Sequence, residues 1–164
     1  MKILVLNGPN LNALGFREPD TYGYMTLDEL DRSVENYAKE FVDLTRSNAD
    51  TIELEFYQSN HEGQIIDKLY DAMKDCAGVV YNPAAHTHYS YALRDAIASL
   101  PIPVVEVHLS NIGAREEFRR HSVMKEVCIG QFMGEGVVSY HKALAFLIEY
   151  LEEHQRLIAK NSSN

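Results

Sequence analysis

The sequence feature that most constrains the fold is a series of five short runs with a strand pattern, four of them mainly apolar and one (residues 51–57) alternating, separated by helical patterns. The first run is Lys2–Asn7, and the others cover residues 51–57, 77–82, 103–108 and 123–129. Such runs, rich in β-branched residues and bounded by Gly, Pro or Asn, are typical of strands. Between them, apolar residues recur at a spacing of three or four, which indicates amphipathic helices.

Alternation of strands and helices predicts an α/β protein with a parallel sheet. At 164 residues, the chain has the length of one domain. We therefore expect a single domain over residues 1–164, with a frayed tail from about residue 158. Right-handed crossovers favour a flavodoxin-like three-layer fold with a five-stranded parallel sheet in the order 2-1-3-4-5. The ligand crevice is then expected between strands 1 and 3, with the loop after strand 4 beside it.

Two helix starts carry capping signals. Thr26 is followed three residues later by Glu29, which is the capping-box pattern, and the helix it begins is expected to reach about residue 46. Ser90 is the predicted cap of a helix that ends near residue 99. A last helix is predicted from about residue 138 to about residue 157.

The segment from residue 103 to residue 119 has the highest density of chemically useful groups. It begins as a strand, in which Glu106 and His108 are two residues apart and therefore point to the same face. A helix is predicted to begin at Ala114, and it would bring Arg115 and Arg119 onto one face. The segment thus predicts an acid–imidazole pair and two guanidinium groups at the carboxyl end of a strand, where ligands bind in open α/β sheets.

The carboxyl ends of the other strands also carry polar residues that the fold does not require. They include Asn10, Arg17 and Tyr22 after strand 1, Asn60 and His61 after strand 2, and Asn82, His86 and His88 after strand 3. Because these ends meet at one edge of the sheet, their convergence favours an active site.

Several classes of function are disfavoured by composition and spacing. A formal net charge of −9 without a basic block argues against nucleic acid as a partner. No apolar run approaches the roughly 20 residues of a membrane span, no secretion signal is evident, and the two cysteines lack CxxC spacing. We expect a cytoplasmic protein in a reducing environment. The spacing of His61, His86 and His88 does not resemble a metal motif, so a metal is not expected.

Proton transfer remains as the chemistry that these residues fit best. Tyr22 lies five residues after Arg17, and a neighbouring guanidinium lowers the pKa of a phenol from its usual value of about 10. His108, oriented by Glu106, is the complementary acid. A base and an acid that face one anionic substrate indicate an elimination reaction.

The ordered motifs of the chain closely resemble those of the type II 3-dehydroquinate dehydratases, from residue 2 to about residue 150. They are Asn7-Gly-Pro-Asn-Leu-Asn12, Arg17-Glu-Pro19, Tyr22-Gly23, Gln58-Ser-Asn-His-Glu-Gly63, Asn82-Pro83, Thr87-His88, Ala92-Leu-Arg-Asp-Ala96, Val105-Glu-Val-His-Leu-Ser-Asn-Ile112 and Ala114-Arg-Glu-Glu-Phe-Arg119. The resemblance implies conversion of 3-dehydroquinate to 3-dehydroshikimate without metal or cofactor. It also implies a flavodoxin-like subunit in a homododecamer, a tetramer of trimers.

The resemblance further implies a role for each matching residue. Tyr22 is the base, Arg17 lowers its pKa and stabilises the enolate, Asn10 holds a water at the enolate oxygen, and His108 with Glu106 protonates the leaving hydroxyl. The substrate-binding positions are implied to be Asn82, His88, Leu109, Ser110, Arg115, Arg119 and, from a neighbouring subunit, Asp95.

The sequence departs from the family pattern at Ala84, His86, Gly113 and His141, none of which matches a catalytic position. Two functional classes stay open at this stage. One is the dehydratase, which needs an ionisable Tyr22, and the other is a non-catalytic flavodoxin-like binding or scaffold protein that kept the pocket. The role in biosynthesis of aromatic compounds or in breakdown of quinate also stays open.

Overall fold

The computed structural model describes residues 1–16, 24–45 and 51–161. Within these ranges the chain forms five strands, four α-helices and several short 3-10 turns. The regular elements are β1 (Lys2–Asn7), α1 (Leu27–Thr45), β2 (Glu53–Gln58), α2 (Glu62–Ala72), β3 (Gly78–Asn82), α3 (Tyr91–Ser99), β4 (Val104–His108), β5 (Gly130–Met133) and α4 (Val137–Asn161).

All neighbouring strands are parallel and the sheet order is β2-β1-β3-β4-β5, so the predicted fold and strand order are confirmed. The pairing register sets Asn7, the last residue of β1, opposite Asn82, the last residue of β3. The two central strands therefore end side by side. Polar residues that follow them are delivered to the same edge of the sheet.

The hydrophobic core has two parts, one on each face of the sheet. Alternate residues of β1 point in opposite directions: Ile3 and Val5 belong to the cluster formed with α1 and α4. Leu4 and Leu6 belong to the cluster formed with α2 and α3. The central strands are buried on both faces, as expected for strands covered by helices in a parallel sheet. A rigid three-layer scaffold thus supports the loops at its carboxyl edge.

Both predicted helix caps are present. Thr26 N donates to Glu29 Oε2 at 2.8 Å and Glu29 N donates to Thr26 Oγ1 at 3.3 Å, which is the reciprocal capping box. Ser90 Oγ accepts from Leu93 N at 3.1 Å. The start of α3 is thereby fixed close to the end of β3, where part of the predicted site lies.

The prediction of strand 5 at residues 123–129 is wrong. That segment contains a 3-10 turn, Lys125–Val127, and the strand is Gly130–Met133, which pairs with β4. Val123 and Met124 have the apolar character of a strand, but they are buried in the core cluster of α2 and α3. Burial of a loop and burial of a strand give similar short apolar runs, which explains the error.

The prediction of a helix from Ala114 is also wrong. Two 3-10 turns, Ile112–Ala114 and Glu117–Arg119, occupy this segment, and Arg115 between them has extended backbone (φ −93°, ψ −170°). Asn111 Oδ1 accepts from Gly113 N at 3.0 Å, a local bond that competes with helical bonding. Arg120 Nε donates to the carbonyl of Arg115 at 2.8 Å, so that carbonyl is already used by a side chain.

The last helix is longer than expected: α4 continues to Asn161 rather than ending near residue 157.

No helix in the described part of the chain combines the length and the apolar character that a membrane crossing requires.

Candidate active site

The loops that follow β1, β3 and β4 line one pocket at the carboxyl edge of the sheet. The predicted site residues that line it are Asn10, Asn82, His88, His108, Leu109, Ser110, Arg115 and Arg119. Their convergence follows from the register, which ends the central strands side by side. The crevice therefore lies where the order of a doubly wound sheet predicts it.

Glu106 and His108 form a buried acid–imidazole pair at the wall of this pocket. Both are on the same face of β4, and His108 Nε2 lies 2.7 Å from Glu106 Oε1. A carboxylate accepts hydrogen bonds, so Nε2 is the donor and the ring is held in one orientation. His108 lines the pocket, and its other nitrogen, Nδ1, is the one left to exchange a proton with a ligand.

Glu106 remains ionised although it is fully buried. Burial pushes the pKa of its carboxyl upward, but the hydrogen bonds from His108, Thr87 and Ser122, with the charge of His108, outweigh it and leave the pKa below its usual value. Thr87 Oγ1 donates to Oε1, Ser122 Oγ lies 2.9 Å from both oxygens, and Gln131 Nε2 donates to Oε2 at 2.8 Å. A carboxylate with this many donors keeps its charge and holds the His108 ring in one orientation.

Ser122 and Gln131 are part of the site that the sequence reading missed. Gln131 is directly paired with Glu106 across β4 and β5, but the misplaced strand assigned it to a turn. Ser122 lies 16 positions after Glu106, in a loop without regular spacing. A correct assignment of β5 would have brought Gln131 beside Glu106, whereas no sequence signal marks Ser122.

His88 contributes a second, neutral imidazole. Its Nδ1 lies 2.9 Å from the backbone carbonyl of His121. A carbonyl only accepts, so Nδ1 carries the hydrogen and Nε2 is left as an acceptor for a ligand hydroxyl. Burial, together with the charges of His108 and Arg119, lowers the pKa of His88 despite the opposing effect of the His121 carbonyl.

Two guanidinium groups give this edge of the pocket a positive charge in a chain whose net charge is −9. Arg115 Nε and Arg119 Nε lie 3.6 Å and 3.3 Å from the same Glu116 oxygen. Arg119 also stacks over the ring of Phe118, with 4.7 Å between the guanidinium carbon and the ring centre. Although the predicted helix is absent, both arginines line the pocket, where they can attract an anion.

Asn82 is held at the end of β3 by its own side chain and by its backbone. Its Oδ1 accepts from Ala84 N at 3.0 Å, an Asx-type turn, and Ala84 adopts a positive φ of 50°. The carbonyl of Asn82 accepts from Gly8 N at 2.8 Å. A Cβ added to Gly8 would lie 2.7 Å from the carbonyl oxygen of Pro83, so this close approach requires glycine.

Asn10 opens the loop that follows β1. Its backbone has a positive φ of 66°, a conformation that asparagine tolerates better than most residues. Asn10 N donates to Asn60 Oδ1 at 2.8 Å, and Gln58 Nε2 donates to the same oxygen at 3.0 Å. The end of β2 therefore supports Asn10 from outside the pocket.

Of the predicted site residues that the structure describes, Glu106 and Asp95 are not among those that line the pocket. Glu106 lies behind His108, fully buried. Asp95 is on α3, and its side chain is 76% exposed. Within one chain it therefore points to solvent. Arg17 and Tyr22 lie outside the described residues.

The described arrangement combines an oriented proton donor, a neutral hydroxyl-binding imidazole, an amide and two cationic groups around one pocket. Such a set suits a small anionic ligand with hydroxyl groups, to which His108 can donate a proton. The same pocket without a base would only bind its ligand.

Comparison with known proteins gives a consistent result. The sequence matches the family model described as dehydroquinase class II over residues 1–148. It is 54% identical over 145 residues to 3-dehydroquinate dehydratase from Bacillus pumilus, covering 88% of this chain and 92% of that protein. The crystal structure of type II dehydroquinase from Butyrivibrio crossotus has a TM-score of 0.81 and 49% identity, covering 90% and 97%. That from Propionibacterium acnes has a TM-score of 0.81 and 41% identity, covering 90% and 96%.

Proposed function

The chain belongs to the class II dehydroquinase family, and we propose that it catalyses the reversible dehydration of 3-dehydroquinate to 3-dehydroshikimate. The reaction is an anti elimination through an enolate-like intermediate, and its place is the shikimate pathway of aromatic amino acid biosynthesis. The observation that carries the proposal is the buried Glu106–His108 pair at the wall of a pocket lined by two arginines.

His108 is the general acid in this proposal. In its protonated form it gives the Nδ1 proton to the departing C1 hydroxyl, which leaves as water. The Glu106 carboxylate, 2.7 Å from Nε2, stabilises the imidazolium and fixes the direction of Nδ1. A positioned acid of this kind contributes about 10²–10⁴ to the rate.

Tyr22 is the proposed base, which removes the proton at C2 as a phenolate. Arg17, five residues earlier in the chain, favours that phenolate and stabilises the negative charge that develops on the enolate. Asn10, on the pocket wall, holds a water against the enolate oxygen. Proton removal and hydroxyl departure then take place on opposite faces of the ring, which gives the anti stereochemistry.

The remaining pocket residues hold the substrate. Asn82 and the backbone N–H groups of Leu109 and Ser110 bind its carboxylate, and His88 and Arg119 bind its hydroxyls. All five line the pocket, which supports these roles. Arg115 adds positive charge to the pocket wall.

Asp95 completes the site from a neighbouring subunit in the proposed homododecamer, a tetramer of trimers. Its side chain is exposed in one chain, so it is accessible for contact with the pocket of a neighbouring subunit. Sedimentation should then give a mass near twelve times 18.6 kDa, and a monomer at working concentrations would remove Asp95 from the site. We further propose that residues 1–164 act as one catalytic domain in the cytoplasm, with no nucleic acid or membrane partner and without a metal or cofactor.

The test of the activity is direct, because the product is a conjugated enone that absorbs in the ultraviolet. Addition of 3-dehydroquinate to the purified protein should produce that absorbance. The Tyr22→Phe variant keeps the ring but loses the ionisable group, so its turnover should fall at least 100-fold. Turnover by Tyr22→Phe at the wild-type rate would mean that another group is the base, whereas no turnover by the wild type would support the non-catalytic alternative.

A further inference from the structure

A continuous chain of hydrogen bonds runs from the candidate site into helix α4. Asn82 Nδ2 donates to Tyr140 Oη at 2.7 Å, and Tyr140 Oη donates to Asn7 Oδ1 at 2.7 Å. We infer that Tyr140 is a positioning residue, which fixes the Asn82 amide in the orientation that binds the substrate carboxylate. The inference rests on the proposed function, because it takes Asn82 as the residue that binds this carboxylate.

The direction of this chain is determined by its first member. The backbone N–H of Ala84 can only donate, so the Asn82 atom that accepts from it at 3.0 Å must be Oδ1. The other atom of the amide, Nδ2, is then a donor and Tyr140 Oη its acceptor. Oη in turn uses its own hydrogen on Asn7 Oδ1. Each of the three side chains thus has one allowed orientation.

Tyr140 is itself held firmly. Its side chain has no exposed surface, and burial raises the pKa of the phenol far above its usual value, so it keeps its proton and stays a donor. The start of α4 is also tied to the site loops, because Gly136 N donates to the carbonyl of Leu109 at 3.0 Å. Ser139 Oγ accepts from Glu135 N at 3.0 Å, which fixes the first turn of the helix.

The consequence for the site is a preorganised amide. One hydrogen of Asn82 Nδ2 is used by Tyr140, which leaves the second for a ligand in the pocket that Asn82 lines. Without the phenol hydroxyl, Nδ2 and Asn7 Oδ1 would each lose a buried partner, and the Asn82 amide would be held by the Ala84 N–H alone. Binding would then have to order it, which weakens affinity.

The chain supplies a matched control in Tyr81. This tyrosine is also fully buried and precedes Asn82 on β3. Its hydroxyl has no hydrogen-bond partner among the described residues, and its ring belongs to the core cluster on the opposite face of the sheet. Tyr81→Phe therefore removes a buried hydroxyl without touching the Asn82 amide.

The experiment compares Tyr140→Phe, Tyr81→Phe and wild type in steady-state dehydration of 3-dehydroquinate. We expect Tyr140→Phe to raise KM about ten-fold with kcat within about two-fold. The lost interaction would stabilise the bound substrate and the transition state equally, so its removal changes KM and not kcat. Tyr81→Phe should leave KM unchanged. In an Asn82→Ala background, which itself raises KM, Tyr140→Phe should add nothing, because its effect acts through that amide.

An unchanged KM in Tyr140→Phe, an equal rise in Tyr81→Phe, or an undiminished effect in the Asn82→Ala background would overturn the inference. The side-chain amide resonances of Asn82 give a readout in the unliganded protein that does not need turnover. The chemical shifts of these resonances should change in Tyr140→Phe and stay the same in Tyr81→Phe. Unchanged shifts in Tyr140→Phe would contradict the inferred role of the hydrogen-bond chain. A wild type that does not turn over substrate would instead reject the proposed function. If Tyr140→Phe does not fold, Asn7→Ala removes the acceptor of the Tyr140 hydroxyl and should shift the same Asn82 resonances.

Discussion

At the scale of single residues, Glu106 is the buried carboxylate that holds His108 at the pocket wall. It is fully buried, yet Thr87, Ser122, Gln131 and His108 all contact its carboxylate. A buried carboxylate is costly unless its oxygens are paired, and these four contacts offset that cost. Its lowered pKa therefore keeps a negative charge beside His108 across the whole neutral range.

We expect Glu106→Gln to lower kcat about 100-fold, because the amide cannot stabilise a protonated His108. The hydroxyls of Thr87 and Ser122 can turn to accept from the new amide, so the fold should survive. Turnover and thermal melting of this variant should be compared with those of Glu117→Gln, which changes an exposed residue. A kcat equal to wild type would show that His108 acts without the charge of Glu106.

The same carboxyl predicts how stability depends on pH. A folded-state pKa below the usual 4.5 means that its contribution is present above pH 4.5 and is lost as the pH falls through the folded value. The stabilities of wild type and Glu106→Gln should therefore converge on acidification below about pH 4.5. Denaturant titrations at several pH values measure this difference, and a constant gap would contradict the ionised state.

At the scale of elements, the ends of β1 and β3 set the width of the crevice. Gly8 N donates to the carbonyl of Asn82 at 2.8 Å, and a Cβ at Gly8 would lie 2.7 Å from the carbonyl oxygen of Pro83. The atoms that this Cβ would meet, in Pro83 and Asn82, belong to the backbone, so rotation of a side chain cannot relieve the clash. The strand ends would have to separate.

Gly8→Ala should therefore destabilise the protein by about 2 kcal/mol and lower the melting temperature by about 6 °C, with loss of activity. Gly63→Ala is the matched control, because a Cβ there meets open space in α2 and alanine is the better helix former, which favours a gain of about 0.5 kcal/mol. Calorimetry of both variants measures the difference. A stable, active Gly8→Ala would mean that the strand ends tolerate separation.

Some of these elements could be predicted from the sequence and others could not. The central strands are apolar on both faces and the capping box at Thr26 is local, so both could be predicted from neighbouring residues. β5 could not, because it carries Gln131 and Phe132 at a sheet edge, while the buried loop before it has the more apolar sequence. The segment after Ile112 could not either, since its backbone depends on the contacts of Asn111 and Arg120 rather than on helix propensity.

At the scale of the whole molecule, folding places the carboxyl of Asp31 in an unfavourable, partly buried position. Burial, with a smaller effect of Asp28, raises the pKa of Asp31 on α1 to about 6, and its Oδ1 has no hydrogen-bond partner among the described residues. A carboxyl whose pKa rises on folding opposes folding when ionised. This penalty is present at neutral pH and is relieved as the pH falls from about 6 towards 3.8.

Asp31→Asn should therefore stabilise the protein by about 1 kcal/mol at pH 7.5, after allowance for its partial exposure. The gain should shrink below about pH 6 and vanish near pH 4. Asp67→Asn, at an exposed position of α2, removes the same charge and controls for the change in net charge. Urea denaturation at pH 7.5 and pH 4 makes the comparison, and an equal gain at both values would contradict the raised pKa.

Pocket residues that lie at the end of a strand, or in the loop after it, could be predicted from the sequence. Asn82, His88, His108 and Arg119 occupy such positions and line one pocket. Tyr140 was not predictable, because its hydroxyl reaches Asn7 from a residue 133 positions away in a helix whose pattern indicates only packing. Supporting contacts of this kind depend on the folded arrangement of distant segments and leave no local mark in the sequence.

The measurement that tests the central claim most directly is the dehydration of 3-dehydroquinate by His108→Asn, followed through the ultraviolet absorbance of the enone. His154→Asn is the control, since that ring is exposed and stacks on Tyr150 within α4. We predict rapid product formation by wild type and His154→Asn, and a kcat at least 100-fold lower for His108→Asn. Equal rates for His108→Asn and wild type would contradict the account, because the pocket would then carry out the reaction without the imidazole that Glu106 holds.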